Sequence, residues 1–189
     1  LDIFLQNKKK IRNEILIIND NSSKKISLNF KKLKTIKKIK IITLKKNFGS
    51  QKAIAIGLSY LKKIRGAFYI TVMDGDGEDA PRQVKNMLDK AINNPKYIIT
   101  SNRKKREEAL IIVLLYKIHL MITYFFTLKW VSFGNFSTFH NKNLKTLLSN
   151  DSSWYAHSSS VLKNCKVKRL YSKREKRYFD KSKLGIFSL

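Results

Sequence analysis

Acid is what this sequence has least of: Asp and Glu together number 13 against 40 Lys and Arg, a formal net charge of +27. A single cysteine, Cys165, excludes an internal disulfide framework and a cysteine-rich zinc site. The three histidines, His119, His140 and His157, are too widely spaced to suggest a metal cluster. No uncharged apolar run reaches the roughly 18 residues of a membrane-crossing helix, so none is expected within this chain. The opening residues run straight into Asn7-Lys8-Lys9-Lys10, so no secretory signal is expected there. Neither internal repeats nor low-complexity linkers break up the 189 residues, a length suited to one domain with a sizeable core.

What is there is mostly cationic. Such a field attracts nucleic acid, anionic lipid or phosphorylated substrates without choosing between them, and a plain coat of solvated lysines accounts for much of it. Against this background Val72–Pro81, VMDGDGEDAP, gathers four carboxylates within residues 74–79. Such a knot is either a solvated turn or the seat of a cation.

Four apolar segments read as buried strands: Ile15–Asp20, Ile39–Leu44, Phe68–Asp74 and Tyr97–Ser101. Short Ile- and Val-rich runs with little alternation suit a mostly parallel sheet covered on both faces. Between them, Ile54, Leu58 and Leu61 share one helical face, and Val84, Leu88 and Ala91 another. Pro81 fits the first turn of the second helix, where a missing N–H costs little. Strands alternating with helices predict an α/β sandwich, in which ligands collect at the carboxyl ends of strands. Asp20 and Asp74 both stand at such ends and can converge on one ligand.

The second half differs in character. Leu110–Phe126 is almost wholly apolar, broken only by Lys117, His119 and Thr123. A helix lying in a membrane interface fits it, and a buried core helix is the alternative. A mixed polar region around Gly134-Asn135-Phe136 and a basic tail follow. The organisation expected is one domain in two parts, 1–109 with the strand–helix alternation and 110–189 with the apolar stretch and basic tail.

Chemically, Asp-x-Asp after a buried strand suits a hard divalent cation, because carboxylate oxygens match magnesium or manganese and Gly75 and Gly77 permit a tight turn. Alone the pattern is common. Its neighbours make it specific: INDNSS (18–23), KNFGSQKAIAIGL (46–58), VMDGDGEDAP (72–81), SNRKKRE (101–107), GNF (134–136) and REKRYFDKSK (174–183). In order and spacing these motifs resemble those of family 2 glycosyltransferases, most of all the polyprenyl-phosphate, dolichol-phosphate mannose synthase-like branch. The resemblance extends over about residues 15–185.

The resemblance implies a glycosyltransferase A-type, Rossmann-like three-layer sandwich, in which 1–109 is the nucleotide-sugar-binding part and 110–189 the acceptor or membrane-interface part of the same domain. It also implies metal-dependent, inverting transfer from a nucleotide-sugar donor to a lipid phosphate at the cytoplasmic face of a membrane. By position, Asp20, Asn47, Gly49 and Lys52 fall on the nucleotide side, and Asp74, Asp76 and Glu78 at the metal, magnesium or manganese. Asp79 matches the acid that follows them and becomes the candidate base for a hydroxyl acceptor. Arg103 and Arg106 match a basic loop near the acceptor phosphate, and Arg174, Arg177, Ser182 and Lys183 a late acceptor-binding motif.

There are departures. Asn19 replaces an acid, and Asn21 and Asp180 replace glycines, of which Asn21 is the milder because Asn tolerates left-handed backbone. The family's opening strand, with its Pro-x-Tyr-Asn-Glu motif, and its trailing transmembrane helices are not in the sequence, so the chain reads as a fragment or a divergent copy. A catalytically impaired, membrane-associated interaction protein is therefore one rival reading. The other is a nucleic-acid-binding module using the charge with Tyr171, Tyr178 and Phe179, but it leaves the acidic strand ends unexplained, and no nucleic-acid partner is expected.

Overall fold

The computed structural model describes residues 12–23, 33–103, 133–149 and 152–172, together with 118, 121, 122, 124 and 125. The strands are β1 (Asn13–Asn19), β2 (Ile36–Thr43), β3 (Tyr69–Val72), β4 (Tyr97–Arg103), β5 (Phe133–His140) and β6 (Lys166–Ser172). The helices are α1 (Ser50–Lys62), α2 (Gln83–Ile92), α3 (Leu144–Leu147), α4 (Ser152–Tyr155) and α5 (His157–Asn164). All four apolar runs form strands, and both helical faces form helices. Pro81 lies just before α2, in the turn that leads into it, where its carbonyl accepts the Val84 N–H at 3.2 Å.

The strands make two sheets. β1 and β2 pair in parallel, with Ile15 opposite Ile39 and Ile17 opposite Ile41. The second sheet runs β3-β5-β4-β6 and is mixed: β5 enters antiparallel between β3 and β4, whereas β4 and β6 are parallel. The segment read as a mixed polar region is thus a strand inside the sheet.

Successive side chains of a strand face opposite ways, and the core divides accordingly. Ile70, Ile98, Phe133 and Phe139 pack on one face with Leu58 of α1, Leu144 and Leu147 of α3 and Val161 of α5. Ile99 and Phe136 pack on the other with Val84, Met87 and Ala91 of α2. The result is the expected three-layer α/β sandwich. Burying side chains of this size contributes about 1.5–3 kcal/mol each. The two buried clusters thus fix the strand ends that carry polar residues.

Helix α1 joins the two sheets. Leu58 enters the first core cluster, and Gly57 lies against Ile18 of β1, close enough that an added Cβ would stand 3.0 Å from Ile18 Cγ1. Within the apolar 110–126 stretch the five described positions are helical and exposed: Ile118, Met121, Ile122, Tyr124 and Phe125. Among the described residues no helix is long and apolar enough to cross a membrane.

Candidate functional site

The site starts where β1 ends. The Phe48 and Gly49 N–H groups donate to Asp20 Oδ1 (2.7 Å) and Oδ2 (2.8 Å), so one carboxylate bridges the end of β1 to the loop before α1. Asn47 Oδ1 accepts from the same Gly49 N–H at 3.1 Å. Gly49 caps α1 with φ 85°, a left-handed conformation that glycine adopts without a Cβ penalty. Among the described residues Asn21 is the non-glycine residue with positive φ, 55°, in keeping with its place in the turn. Asp20, Asn47 and Gly49 are therefore brought together, while Lys52 lies exposed on the first turn of α1.

The acidic knot after β3 is partly its own scaffold. Asp79 Oδ2 accepts the Asp74 N–H at 2.9 Å, and Asp76 Oδ1 accepts the Glu78 N–H at 3.0 Å, closing an Asx turn. Gly77 is buried with φ 91°. Asp79 and Asp76 thus hold the turn that displays Asp74. Among the described residues, no group of three or more His, Cys, Asp or Glu gathers as a metal cage. Asp74, Asp76 and Glu78 share one short turn without forming such a cage.

Asn135 completes this edge. Because β5 runs antiparallel to β3, with Val72 opposite Ser137, its opening residues lie beside the end of β3. Asn135 Nδ2 accordingly donates to Asp74 Oδ1 at 3.2 Å. Behind it, Gln51 Nε2 donates to Asn135 Oδ1 (3.2 Å), and the His157 N–H donates to Gln51 Oε1 (2.8 Å). His157 is buried, and desolvation pushes its pKa down to about 4, so the imidazole is neutral near pH 7.

Asp20 and Asp74 end strands of two separately hydrogen-bonded sheets, and α1 links them through Gly49 and Gln51. Arg103 closes β4, opposite Ser172 in the register of β6. Arg106, Arg174, Arg177, Ser182 and Lys183 lie outside the described residues.

Sequence reasoning gave no role to Ser137 or His157, and marked Gln51 and Asn135 only as members of the motifs at 46–58 and 134–136. A lone histidine beside serines carries no recognisable spacing. The amide of Gln51 acts across 84 residues of separation, which no local pattern reveals.

The family model for Glycosyl transferase family 2 matches residues 3–163, covering β1 through nearly all of α5. No curated protein matches the chain.

Proposed function

Because the chain belongs to glycosyl transferase family 2, we propose that it moves a sugar from a nucleotide sugar to a polyprenyl-phosphate-type lipid acceptor at the cytoplasmic face of a membrane. The observation that carries the site assignment is the tie between the two strand-end acids, Asp20 and Asp74, through the first turn of α1.

Asp74 and Asp76 would hold a divalent cation, with Glu78 as a further oxygen donor. The fit is chemical: the turn supplies carboxylates and no Cys or His, the donor set of magnesium or manganese. Magnesium and manganese usually take part of their coordination from substrate phosphates and water, so two or three carboxylates from one turn would be enough. When bound, the cation neutralises the diphosphate and makes the nucleoside diphosphate a better leaving group.

The protein's own work is positioning. Asp20 fixes the Asn47–Gly49 loop on the nucleotide side, and Asp79 fixes the Asp74 backbone. A phosphate acceptor is anionic at neutral pH, so it needs placement more than deprotonation. Arg103, with Arg106 and the late basic motif, supplies charge-assisted contacts for that placement.

A membrane-borne acceptor is supported by the apolar stretch. Ile118, Met121, Ile122 and Phe125 follow i, i+3, i+4, i+7 spacing and are 45%, 64%, 52% and 79% exposed. One helical face of exposed apolar groups on a strongly basic protein suits an anionic lipid interface.

Calorimetric titration with manganese, with and without uridine or guanosine diphosphate, tests the metal reading. Affinity is expected to be weak alone and to rise sharply with nucleotide, and Asp76→Asn should abolish the coupling. Equal manganese binding with and without nucleotide would overturn it.

A further inference from the structure

Three hydrogen bonds leading to Asp74 have directions that elementary chemistry fixes. A backbone N–H can only donate, so the His157 N–H at 2.8 Å makes the facing atom of Gln51 its oxygen, Oε1. Gln51 Nε2 then points at Asn135 and must donate, which makes the facing atom, 3.2 Å away, Asn135 Oδ1. Asn135 is left with Nδ2 toward Asp74 Oδ1, at 3.2 Å. A single backbone amide at the start of α5 thereby sets the orientation of two side-chain amides.

The same residue is held from its main chain. Ser137 Oγ donates to the Asn135 carbonyl at 3.1 Å and lies 2.9 Å from His157 Nε2. A hydroxyl has one proton, and the carbonyl can only accept it, so His157 Nε2 carries the N–H. Ser137 and His157 are 0% and 1% exposed, so water does not compete for these bonds. The buried pair holds the Asn135 backbone while Gln51 holds its side chain.

We propose that Gln51, acting through Asn135, is a positioning residue for the Asp74 carboxylate: it forces an N–H rather than an oxygen to face Asp74 Oδ1, leaving Oδ2 for the ligand. The role rests on the reading of Asp74 as a ligand of the cation–diphosphate pair. If the relay were reversed, Asn135 Oδ1 would face the carboxylate and repel it. Residues that orient a ligand from behind are commonly worth about 10–100-fold in metal affinity.

Two substitutions separate this from a merely structural role. Gln51→Glu keeps an acceptor for the His157 N–H and loses the donor, so Asn135 is drawn to turn its Nδ2 toward position 51. Gln51→Met removes both bonds and leaves Asn135 free in either orientation. Manganese affinity in the presence of uridine or guanosine diphosphate should fall about tenfold or more for Gln51→Glu and only a few-fold for Gln51→Met. Urea stability should rank the other way, because only Gln51→Met leaves the His157 N–H without its acceptor. Binding and stability that fall in the same order, or either folded variant binding as tightly as the parent, would overturn the proposal. Should the parent itself show no nucleotide-coupled manganese binding, the metal reading fails first. Should Gln51→Glu not fold, Gln51→Met alone still decides, since unchanged binding sinks the relay and a few-fold loss supports it.

Discussion

Replacing Gly57 by alanine sets two effects of similar size against each other. Gly57 is buried within α1, and alanine there would favour the helix by about 1 kcal/mol through intrinsic propensity. The new methyl, however, would sit 3.0 Å from Ile18 Cγ1 and 3.3 Å from its Cδ1. Carbon atoms pack best at about 3.5–4.0 Å, so the overlap requires a few tenths of an ångström of movement. Isoleucine is stiff about χ1 and gives way poorly, so either the helix or β1 must shift. Overpacking of this kind costs about 1–3 kcal/mol. The overlap wins: Gly57→Ala should destabilise by about 1 kcal/mol, or ~2–4 °C in melting temperature for a chain of this size. Urea denaturation of a double-mutant cycle with Ile18→Ala isolates the cause. Once the Ile18 side chain is gone, Gly57→Ala should become stabilising by about 1 kcal/mol, a coupling of about 2 kcal/mol. Stabilisation in the parent background, or no coupling in the cycle, would refute the contact between α1 and β1 on which the joining of the two sheets rests.

Other consequences are open to measurement. Asp20→Ala removes two charge-assisted hydrogen bonds at a half-buried position and should cost about 2–3 kcal/mol in urea denaturation; Asp20→Asn, which keeps one acceptor, should cost about half. Burial lowers the His157 pKa from 6.5 to about 4, so the unfolded chain takes up a proton that the folded one refuses. Its contribution to stability is intact above pH 6.5 and is lost as pH falls toward 4, by up to about 1.4 kcal/mol per pH unit, a slope that His157→Gln should lack. Arg103→Lys should weaken use of a lipid-phosphate acceptor in a transfer assay with little change in melting temperature, because a lysine cannot reproduce two-pronged contact with phosphate. In flotation the chain should follow anionic vesicles and not neutral ones; equal binding to both would remove the interfacial role of the 110–126 stretch.

The first four strands were legible as short Ile- and Val-rich runs, and both long helices by apolar residues recurring at helical spacing. β5 was not, though it lies between β3 and β4. Its three phenylalanines, Phe133, Phe136 and Phe139, are separated by Gly, Asn, Ser and Thr, which weaken any local strand signal. Those polar residues tolerate burial only through partners elsewhere: Thr138 shares a hydrogen bond with Thr71 at 2.9 Å, and Ser137 contacts His157. β6, with Lys166, Lys168 and Arg169, reads as part of a basic tail until β4 is beside it. In the site, Asp20, Asn47 and Gly49 were legible as a group through the family resemblance of the motifs at 18–23 and 46–58, which places them by position on one side of the site. The amide chain from Asp74 to His157 was not, because its members come from α1, β5 and α5 and meet only after the sheet forms.

The place of β5 also dictates when the protein can fold. β3 and β4 do not pair with each other; β3 pairs with β5, and β4 pairs with β5 and β6. A nascent chain that has emerged only as far as β4 therefore holds two apolar strands of this sheet with none of their final hydrogen bonds available. Pairing begins only after Phe133–His140 leaves the ribosome, and β6 must follow, a delay that synthesis at about 5–20 residues per second stretches to seconds. Through that interval Ile70, Ile98 and Ile99 lack their strand partners, the condition in which unpaired apolar strands are most prone to associate wrongly.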